Sequence, residues 1–405
     1  MSSGLEQNRN VLFSIYVFLI VLSVVILGYS PLLGFYIPIS LLLIGFGYER
    51  SMRCILSSIA IVGAGFTFAS RNFVSGTIKD DFANVYLPAF NDVTNGGSIY
   101  YEQYSGGIEF FITLYFKILN YLFGLSQPYM IIFSVVAFTL LLYYLWLERF
   151  IIQLVSPKYR SIFIASCLSL VTIIVFTQNM RQAISCVFVL FAINYFFEKK
   201  KALYLLFLFL SVIAHTSAII VFPLFIILLN GSNKTKWIII CACLAFLILF
   251  NVAIAFIISN NLLGASTYKL LYYSDVSGRT VDIGYLKFLI ISVIASFFLF
   301  DKNNLELGKY KSLLYFGTAI YLILMPIPTL SFRFLMLLVV FYNGVLMFFS
   351  FGRSIKLFAI IVSVYTIYRF LTLGPYQTII DGPESYMNLW YSYEWYGDTF
   401  LYFIR

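Results

Sequence analysis

The sequence predicts an all-α, polytopic membrane protein with about 12–13 transmembrane or re-entrant helices. Of its 405 residues, 61% are apolar and only 11% are charged, whereas about 25% are charged in a typical soluble domain. The apolar residues form runs, most of which approach the ~20 residues that a helix needs to cross a bilayer. Lys and Arg are concentrated between particular runs, as topology signals are. A soluble fold of this length cannot bury so much apolar surface, so we expect lipid to be its solvent.

The apolar runs follow one another along the whole chain. They are 11–28, 31–47, 54–69, 108–125, 128–147, 161–177, 182–197, 202–229, 237–258, 285–300, 313–329, 334–351 and 357–373. The first is too long for a signal-peptide core, so we expect it to remain as an anchor. We expect one membrane-embedded domain, 1–405, with outer loops 70–127 and 259–284 and an outer tail 374–405. The net charge of +9 is then a topology signal, and we expect no nucleic-acid partner.

Two runs decide the topology. Run 108–125 carries Glu109, Thr113 and Lys117 on one helical stripe, which is typical of a helix lying at the membrane interface. Run 202–229 is too short for two full crossings, and we expect it to enter and return, bent near His215. This arrangement places most Lys and Arg residues inside. A crossing helix at 108–125 gives nearly as good a charge distribution, whereas a single tilted helix at 202–229 gives a poorer one.

The large first outer loop contains the first candidate site. Arg71 precedes Lys79-Asp80-Asp81 and Tyr86, and adjacent carboxylates beside cations can act as a general base or hold a divalent metal. Asp80 and Asp81 are therefore candidate catalytic residues, and Arg71 and Tyr86 are candidate substrate-binding residues. The alternative is an ordinary solvated loop. Aromatic residues in this loop, such as Tyr100 to Tyr104, also suit a carbohydrate surface.

Further candidates lie at the ends of later runs. Arg181 and Gln182 stand between two apolar runs, where an arginine is costly unless it has an inward partner, a ligand or access to headgroups. His215 is the only histidine, and it is a candidate base if it lies in a polar cavity. Arg333 follows two prolines, and Arg279 lies in an outer loop. Several arginines on one outer face indicate an anionic partner, and a lipid-linked diphosphate fits guanidinium geometry well.

Short segments between about residues 70 and 230 resemble the Wzy-type polysaccharide polymerases, especially their EpsG-like branch. The segments that carry the resemblance are Arg71, Asp80-Asp81-Phe82 with Tyr86, Gly107-Ile108-Glu109, Met180-Arg181-Gln182-Ala183-Ile184, and His215-Thr216-Ser217-Ala218 after Glu198-Lys199-Lys200-Lys201. Either Asp80 or Asp81 can hold the acidic position of the family. The outer loop and the helix after it also look like the GT-C architecture of lipid-dependent glycosyltransferases.

The resemblance implies an enzyme of the bacterial inner (plasma) membrane with an active site facing the outside. It implies transfer of a growing glycan from undecaprenyl diphosphate to the sugar end of another lipid-linked repeat unit, with a chain-length regulator as a further partner. We expect arginines to stabilise the leaving diphosphate, so that neither a metal nor a cofactor is required. The competing functions are another lipid-phosphate-dependent glycosyltransferase or glycan ligase, and a polysaccharide flippase.

Overall fold

The protein is all-α in the part of the chain that the structure describes. The structure is a computed structural model, and it describes residues 2–69, 80–124, 127–260, 283–301, 305–327 and 329–372. No β-strand occurs within these ranges, so the predicted fold class is confirmed. The helices are α1 (Ser2–Tyr29), α2 (Pro31–Leu43), α3 (Arg50–Ala69), α4 (Leu87–Thr94), α5 (Phe111–Phe123), α6 (Pro128–Trp146), α7 (Arg160–Leu170), α8 (Val175–Gln178), α9 (Met180–Phe197), α10 (Lys201–Ala214), α11 (Ala218–Asn230), α12 (Asn233–Ser259), α13 (Ile283–Leu299), α14 (Gly308–Leu324), α15 (Leu330–Met336), α16 (Asn343–Ser350) and α17 (Ile355–Thr372).

Several helix boundaries follow from local sequence signals. Pro31 and Pro128 are the first residues of α2 and α6, where the missing N–H of proline costs no helical hydrogen bond. The side-chain oxygen of Ser30 accepts a hydrogen bond from the Leu33 N–H at 3.4 Å and caps α2. Gly124 ends α5 with a φ of 58°, a left-handed conformation that glycine adopts without a Cβ clash.

The first compact unit comprises residues 1–216 and 355–405. In it α2 packs on α3, α3 on α6, α6 on α9, and α9 on α10. The approach of α2 to α3 is close, because a Cβ added to Gly63 would lie 2.6 Å from backbone atoms of both Gly34 and Phe35. Helices α4 and α5 pack on each other, and α5 also contacts α9 and α10. These contacts hold the predicted outer-loop residues against α9.

The second compact unit comprises residues 217–354. Its helix α14 packs against α11, α12 and α13. The chain leaves α14 at Leu324 and begins α15 at Leu330, after Thr329 with a φ of 60°. The helix therefore breaks around Pro326, one of the two prolines that precede Arg333. Helix α15 continues as a π-helical turn, and this element meets α16 at a bend of 57°.

The helices have the length and the exposed apolar surface of membrane-spanning elements. Four described stretches are long and apolar enough to cross a bilayer, and the bent pair would make a fifth. Six shorter apolar helices of 10–17 residues accompany them. On α12 the side chains of Trp237, Ile238 and Ile248 are 59%, 66% and 76% exposed, which suits lipid rather than water. The protein is thus a multi-pass membrane protein, while the number of about 12–13 spanning or re-entrant helices stays a prediction.

Two apolar runs fold differently from expectation. Run 161–177 is not one helix, because α7 ends at Leu170 and the chain is extended at Val171 before α8. In run 108–125 the polar stripe does not face the membrane surface, so that interpretation is wrong for Glu109 and Thr113, which are only 1% and 0% exposed. At 13 residues α5 is shorter than a full crossing. Its position at the membrane interface stays a prediction.

The predicted bend near His215 is a real helix break. Helix α10 ends at Ala214, His215 has an extended backbone, and α11 begins at Ala218. The return of the chain as a hairpin stays a prediction, as does the single domain. Most of the predicted outer loop 259–284 and the whole predicted outer tail 374–405 lie outside the described residues.

Candidate active site

The site begins with a turn at Asp80 and Asp81 that leads into α4. The Asp80 carboxylate is fully buried and accepts hydrogen bonds from the N–H groups of Phe82 and Ala83 at 3.1 and 3.3 Å. Gln178, at the end of α8, donates to Asp80 Oδ1 at 3.3 Å and accepts from the Asp81 N–H at 2.9 Å. Asp80 thus has the contacts of a helix cap. Asp81 is half-buried, so only it remains partly open to a substrate.

A π-helical turn carries Tyr86 from this loop to α9. Residues Phe82–Tyr86 form the wide turn, a geometry that is enriched at functional sites. The Tyr86 ring is buried, and its hydroxyl accepts a hydrogen bond from the Arg181 N–H at 3.4 Å. Burial, reinforced by the nearby Asp81 charge and opposed by Arg181, raises the pKa of Tyr86 above its ordinary value. The hydroxyl therefore stays protonated at neutral pH.

A glycine turn places Tyr104 and Glu109 beside each other. Gly106 and Gly107 have φ values of 66° and 85°, a backbone conformation that residues with a Cβ rarely adopt. The turn is closed by the Glu109 N–H, which donates to the Tyr104 carbonyl at 3.4 Å. The Tyr104 hydroxyl donates to the Val85 carbonyl at 3.0 Å. Because Tyr104 is fully buried, its assignment to an exposed carbohydrate surface is wrong.

Arg181 lies where these elements meet. It stands in the first turn of α9, and its Nη1 donates to Glu109 Oε2. Its guanidinium carbon lies 3.9 Å from the centre of the Tyr104 ring, which is within the range of a cation–π contact. The buried Nε of Arg181 has no hydrogen-bond partner among the described residues. The side chain is therefore held by protein groups, and one of its buried donors has no hydrogen-bond partner among the described residues.

Glu109 connects Arg181 with the break after α10. Its Oε1 accepts from the N–H and the hydroxyl of Thr216 at 2.9 and 2.7 Å. His215 Nδ1 lies 3.8 Å from the same oxygen. The Thr216 N–H can make this bond because α10 has already ended at Ala214. The lone histidine and Arg181 thus share one carboxylate.

The Glu109 carboxyl has a pKa below its ordinary value. Burial acts to raise this pKa, but His215, Arg181 and the two Thr216 donors together outweigh that effect. Since each of these groups favours the charged form, Glu109 is ionised at neutral pH. A carboxylate with a lowered pKa is a weak base, so its contacts suit a positioning role for Arg181 and His215.

The structure brings some predicted site residues together and leaves others apart. Asp80, Asp81, Tyr86, Arg181 and His215 belong to the connected set described above. Gln182 is buried in the first turn of α9, and its contact with substrate stays a prediction. Arg333 is exposed on α15 in the second compact unit. Arg71 and Arg279 lie outside the described residues, so the convergence of the four arginines is untested.

Four residues of this set were not predicted as site residues: Gln178, Tyr104, Glu109 and Thr216. The signal for Glu109 was its position as the lone carboxylate of an apolar run directly after two glycines. Thr216 belonged to the segment His215-Thr216-Ser217-Ala218, Tyr104 was named only as part of a carbohydrate surface, and Gln178 carried no signal. Their roles depend on partners that are distant in sequence, as Asp80 and Gln178 are, which lie 98 positions apart.

Within the described residues, no group of three or more His, Cys, Asp or Glu side chains comes together as a metal site.

Comparison with known proteins gives a match to a family. No curated protein and no solved structure matches the chain significantly. Residues 54–395, which include every described residue of the site, match the model of the EpsG family.

Proposed function

Because the chain belongs to the EpsG family, we propose that it is a polysaccharide polymerase that uses a polyprenyl-diphosphate-linked donor. Family membership suggests the polymerase activity. The donor is inferred from the site: Arg181 has a buried Nε without a partner, and phosphate oxygens suit guanidinium donors. This unpartnered donor is the observation that carries the proposal.

In the proposed reaction the anomeric carbon of the growing glycan exchanges one oxygen for another. The bond from this carbon to the diphosphate breaks, and a bond to a hydroxyl oxygen of the acceptor sugar forms. The electron pair of the broken bond remains on the undecaprenyl diphosphate, and the hydroxyl proton passes to a base. Donors that are already aimed at the leaving oxygens lower the barrier to this step.

Arg181 alone does not supply enough positive charge for this role, since Glu109 offsets it in a close ion pair. Glu109 instead fixes the direction of the guanidinium, while Tyr104 covers one of its faces. We propose that Arg71 supplies further positive charge, while the roles of Arg279 and Arg333 in substrate binding stay predictions. In this arrangement Glu109 is a positioning residue, and the arginines bind the leaving diphosphate.

Asp81 is the proposed base, and His215 is its competitor. Asp81 is half-buried, on the outer-loop side where a polar acceptor sugar is proposed to enter. His215 has the geometry of a residue oriented by a carboxylate, because its Nδ1 lies 3.8 Å from Glu109 Oε1. We assign proton removal to Asp81 and place His215 beside the diphosphate.

The test is polymer formation by the purified enzyme reconstituted with lipid-linked repeat units and scored as ladders on gels. We expect Asp81→Asn to abolish the ladder. Asp80→Asn should be milder, because an amide oxygen still accepts from the helix N–H groups, and His215→Gln should keep partial activity. Asp92→Asn, an exposed carboxylate of α4, is the matched control. Near-normal ladders from Asp81→Asn together with none from His215→Gln would reverse the two roles.

The remaining parts of the proposal concern the cell. We place the enzyme in the bacterial inner (plasma) membrane, with a GT-C-like outer site and a chain-length regulator as partner. A strain that lacks the gene should carry single repeat units without polymer. Uncapped chains would indicate a glycan ligase instead, and repeat units retained inside the cell would indicate a flippase.

A further inference from the structure

A polar cavity lies in the first unit, away from the candidate active site. It has a volume of about 260 Å³ and is bounded by the start of α3, the end of the α6 stretch and the start of α7. Its lining contains four arginines, Arg50, Arg53, Arg149 and Arg160, and a single acidic residue, Glu148. The lining therefore has a clear excess of positive charge.

Arg53 and Glu148 form a buried ion pair in the lining of this cavity. Arg53 Nε lies 2.5 Å from Glu148 Oε1, and Nη2 lies 3.1 Å from Oε2. Arg53 Nη1 donates to the carbonyls of Gly47 and Tyr48 at 2.9 and 3.2 Å. Both charged side chains are buried, at 3% and 6% exposure. Glu148 is thus committed to Arg53 and neutralises none of the other arginines.

The three other arginines remain uncompensated. Within the part of the chain that the structure describes, none of Arg50, Arg149 and Arg160 takes part in an ion pair. The one hydrogen bond of the Arg160 side chain goes from Nε to the Val155 carbonyl at 3.2 Å. Arg50 and Arg160 are also the first residues of α3 and α7, where the helix dipole adds positive potential. Charge, donors and dipoles all favour an anion in this cavity.

We propose that this cavity binds a phosphate group, supplied by an anionic lipid headgroup or by a soluble phosphate compound. Guanidinium forks match phosphate oxygens, and about 260 Å³ is below the ~300–1,000 Å³ of drug-sized ligand pockets, so a headgroup-sized ligand fits. The cavity lies where candidate membrane-crossing stretches Arg50–Ala69 and Pro128–Leu154 begin and end. The charge distribution predicts this side to be cytoplasmic, where basic pockets between helices meet anionic lipids.

The test measures binding by the purified full-length protein in neutral detergent. The probes are phosphatidylglycerol, inorganic pyrophosphate and, as a phosphate-free lipid, diacylglycerol. Thermal stabilisation reports affinity, because a ligand that binds the folded state raises the midpoint, and native mass spectrometry counts retained lipid. We expect phosphatidylglycerol or pyrophosphate, but not diacylglycerol, to stabilise the wild type. Stabilisation by the lipid alone identifies a headgroup site, and stabilisation by pyrophosphate alone identifies a soluble ligand.

The variants separate this cavity from general surface charge. Arg50→Gln with Arg149→Gln should weaken binding at least about tenfold, since two charge-assisted contacts are lost. Arg53 is left intact because its removal would leave Glu148 buried without its partner. Lys158→Gln with Lys199→Gln removes the same charge from exposed positions that do not line the cavity, and it should leave binding within about twofold. Equal binding by both double variants, or no stabilisation of the wild type by either phosphate probe, would overturn the proposal. Pyrophosphate can also bind at the proposed diphosphate site, but both double variants leave Arg181 intact, so the difference between them reports on this cavity alone.

Discussion

The Arg181 guanidinium forms an ion pair with Glu109 and packs one of its flat faces on the Tyr104 ring. The effect of a substitution at Arg181 therefore depends on the shape of the side chain as well as on its charge. We expect Arg181→Lys to reduce chain elongation nearly as much as Arg181→Ala, by at least about 100-fold. An ammonium keeps the charge but loses both the fork and the flat face that covers Tyr104. The measurement is the ladder assay at matched protein levels.

Arg369→Lys is the control for Arg181→Lys, since Arg369 is a half-buried arginine of α17 outside the site. It should retain normal elongation. Full polymer synthesis by Arg181→Lys would show that charge alone suffices. Arg181 would then have only a topological or headgroup-binding role.

The lowered pKa of Glu109 predicts the direction in which the stability of the protein changes with pH. The unfolded chain has the higher carboxyl pKa, so Glu109 contributes stability above that ordinary value, and the contribution is lost as the pH falls through the lowered pKa of the folded state. At pH 7 Glu109→Gln should cost on the order of 3 kcal/mol, because Arg181 loses its buried partner. The difference in the free energy of unfolding between Glu109→Gln and the wild type should become smaller as the pH falls.

Thermal unfolding of detergent-purified protein between pH 7 and pH 3.5 measures this gap. Glu198→Gln removes an exposed partner of Lys200, at 35% and 45% exposure, and should cost no more than about 0.5 kcal/mol. A Glu109→Gln deficit that stays constant down to pH 3.5 would show that the amide fails for steric reasons. Ionisation of Glu109 would then not be the source of its contribution to stability.

At the scale of helices, the pair α2–α3 depends on small residues at its crossing. An alanine at position 63 places a Cβ 2.6 Å from the backbone of Gly34 and Phe35, and backbone atoms have no rotamer through which to yield. We expect Gly63→Ala to destabilise the protein by about 1–3 kcal/mol, the usual cost of overpacking. The measurement is the shift of the thermal midpoint in detergent.

Gly308 provides the matched control for this crossing. A Cβ there meets nothing within 4 Å, and Gly308 is the first residue of α14, so Gly308→Ala should be neutral or slightly stabilising. If both variants unfold at the wild-type temperature, the close approach of α2 to α3 is not the packing that holds the unit together.

Helices α8–α10 also show why the site could be predicted only in part. The helix breaks before Arg181 and at His215 were visible as polar residues between apolar runs. The polar stripe of Glu109 and Thr113 was visible as well. Helical periodicity shows that one face of a helix is polar and the other apolar, but it does not show whether the polar face contacts water, headgroups or protein. Here the polar side faces the protein: Thr113 Oγ1 donates to the Ile99 carbonyl at 2.5 Å, and Glu109 bonds to α9 and to the residues after α10.

For the whole molecule, composition was the most informative signal, since an apolar fraction of 61% leaves lipid as the main solvent. The apolar runs predicted most of the described helices, but α4 lies outside every run and run 161–177 is divided between α7 and α8. The ion pair of Glu109 with Arg181 joins residues 72 positions apart. No local pattern specifies a contact at that distance, because it depends on how α5, α9 and the glycine turn pack. The fold class was therefore predictable, and the partners within the site were not.

The orientation of the whole chain is testable with single cysteines in a background from which the five native cysteines have been removed. We expect cysteines at Ser156 and Ser232 to be cytoplasmic, because Lys and Arg cluster around both positions. We expect cysteines at Asn95 and Ser392 to be outside. An impermeant maleimide added to intact cells, or to spheroplasts if an outer membrane is present, should label the outer pair at once and the inner pair only after permeabilisation.

Asn95 is the decisive position, because it is exposed at the end of α4 and shares the first outer loop with Asp81 and Glu109. A polymerase that draws lipid-linked units from the outer leaflet requires this loop outside. Labelling at Asn95 only after permeabilisation would place Arg181 and its partners on the cytoplasmic side, where nucleotide sugars are available as donors. A lipid-linked diphosphate would then no longer be the expected donor. The cavity lined by Arg50, Arg53, Arg149 and Arg160 would lie on the outer face.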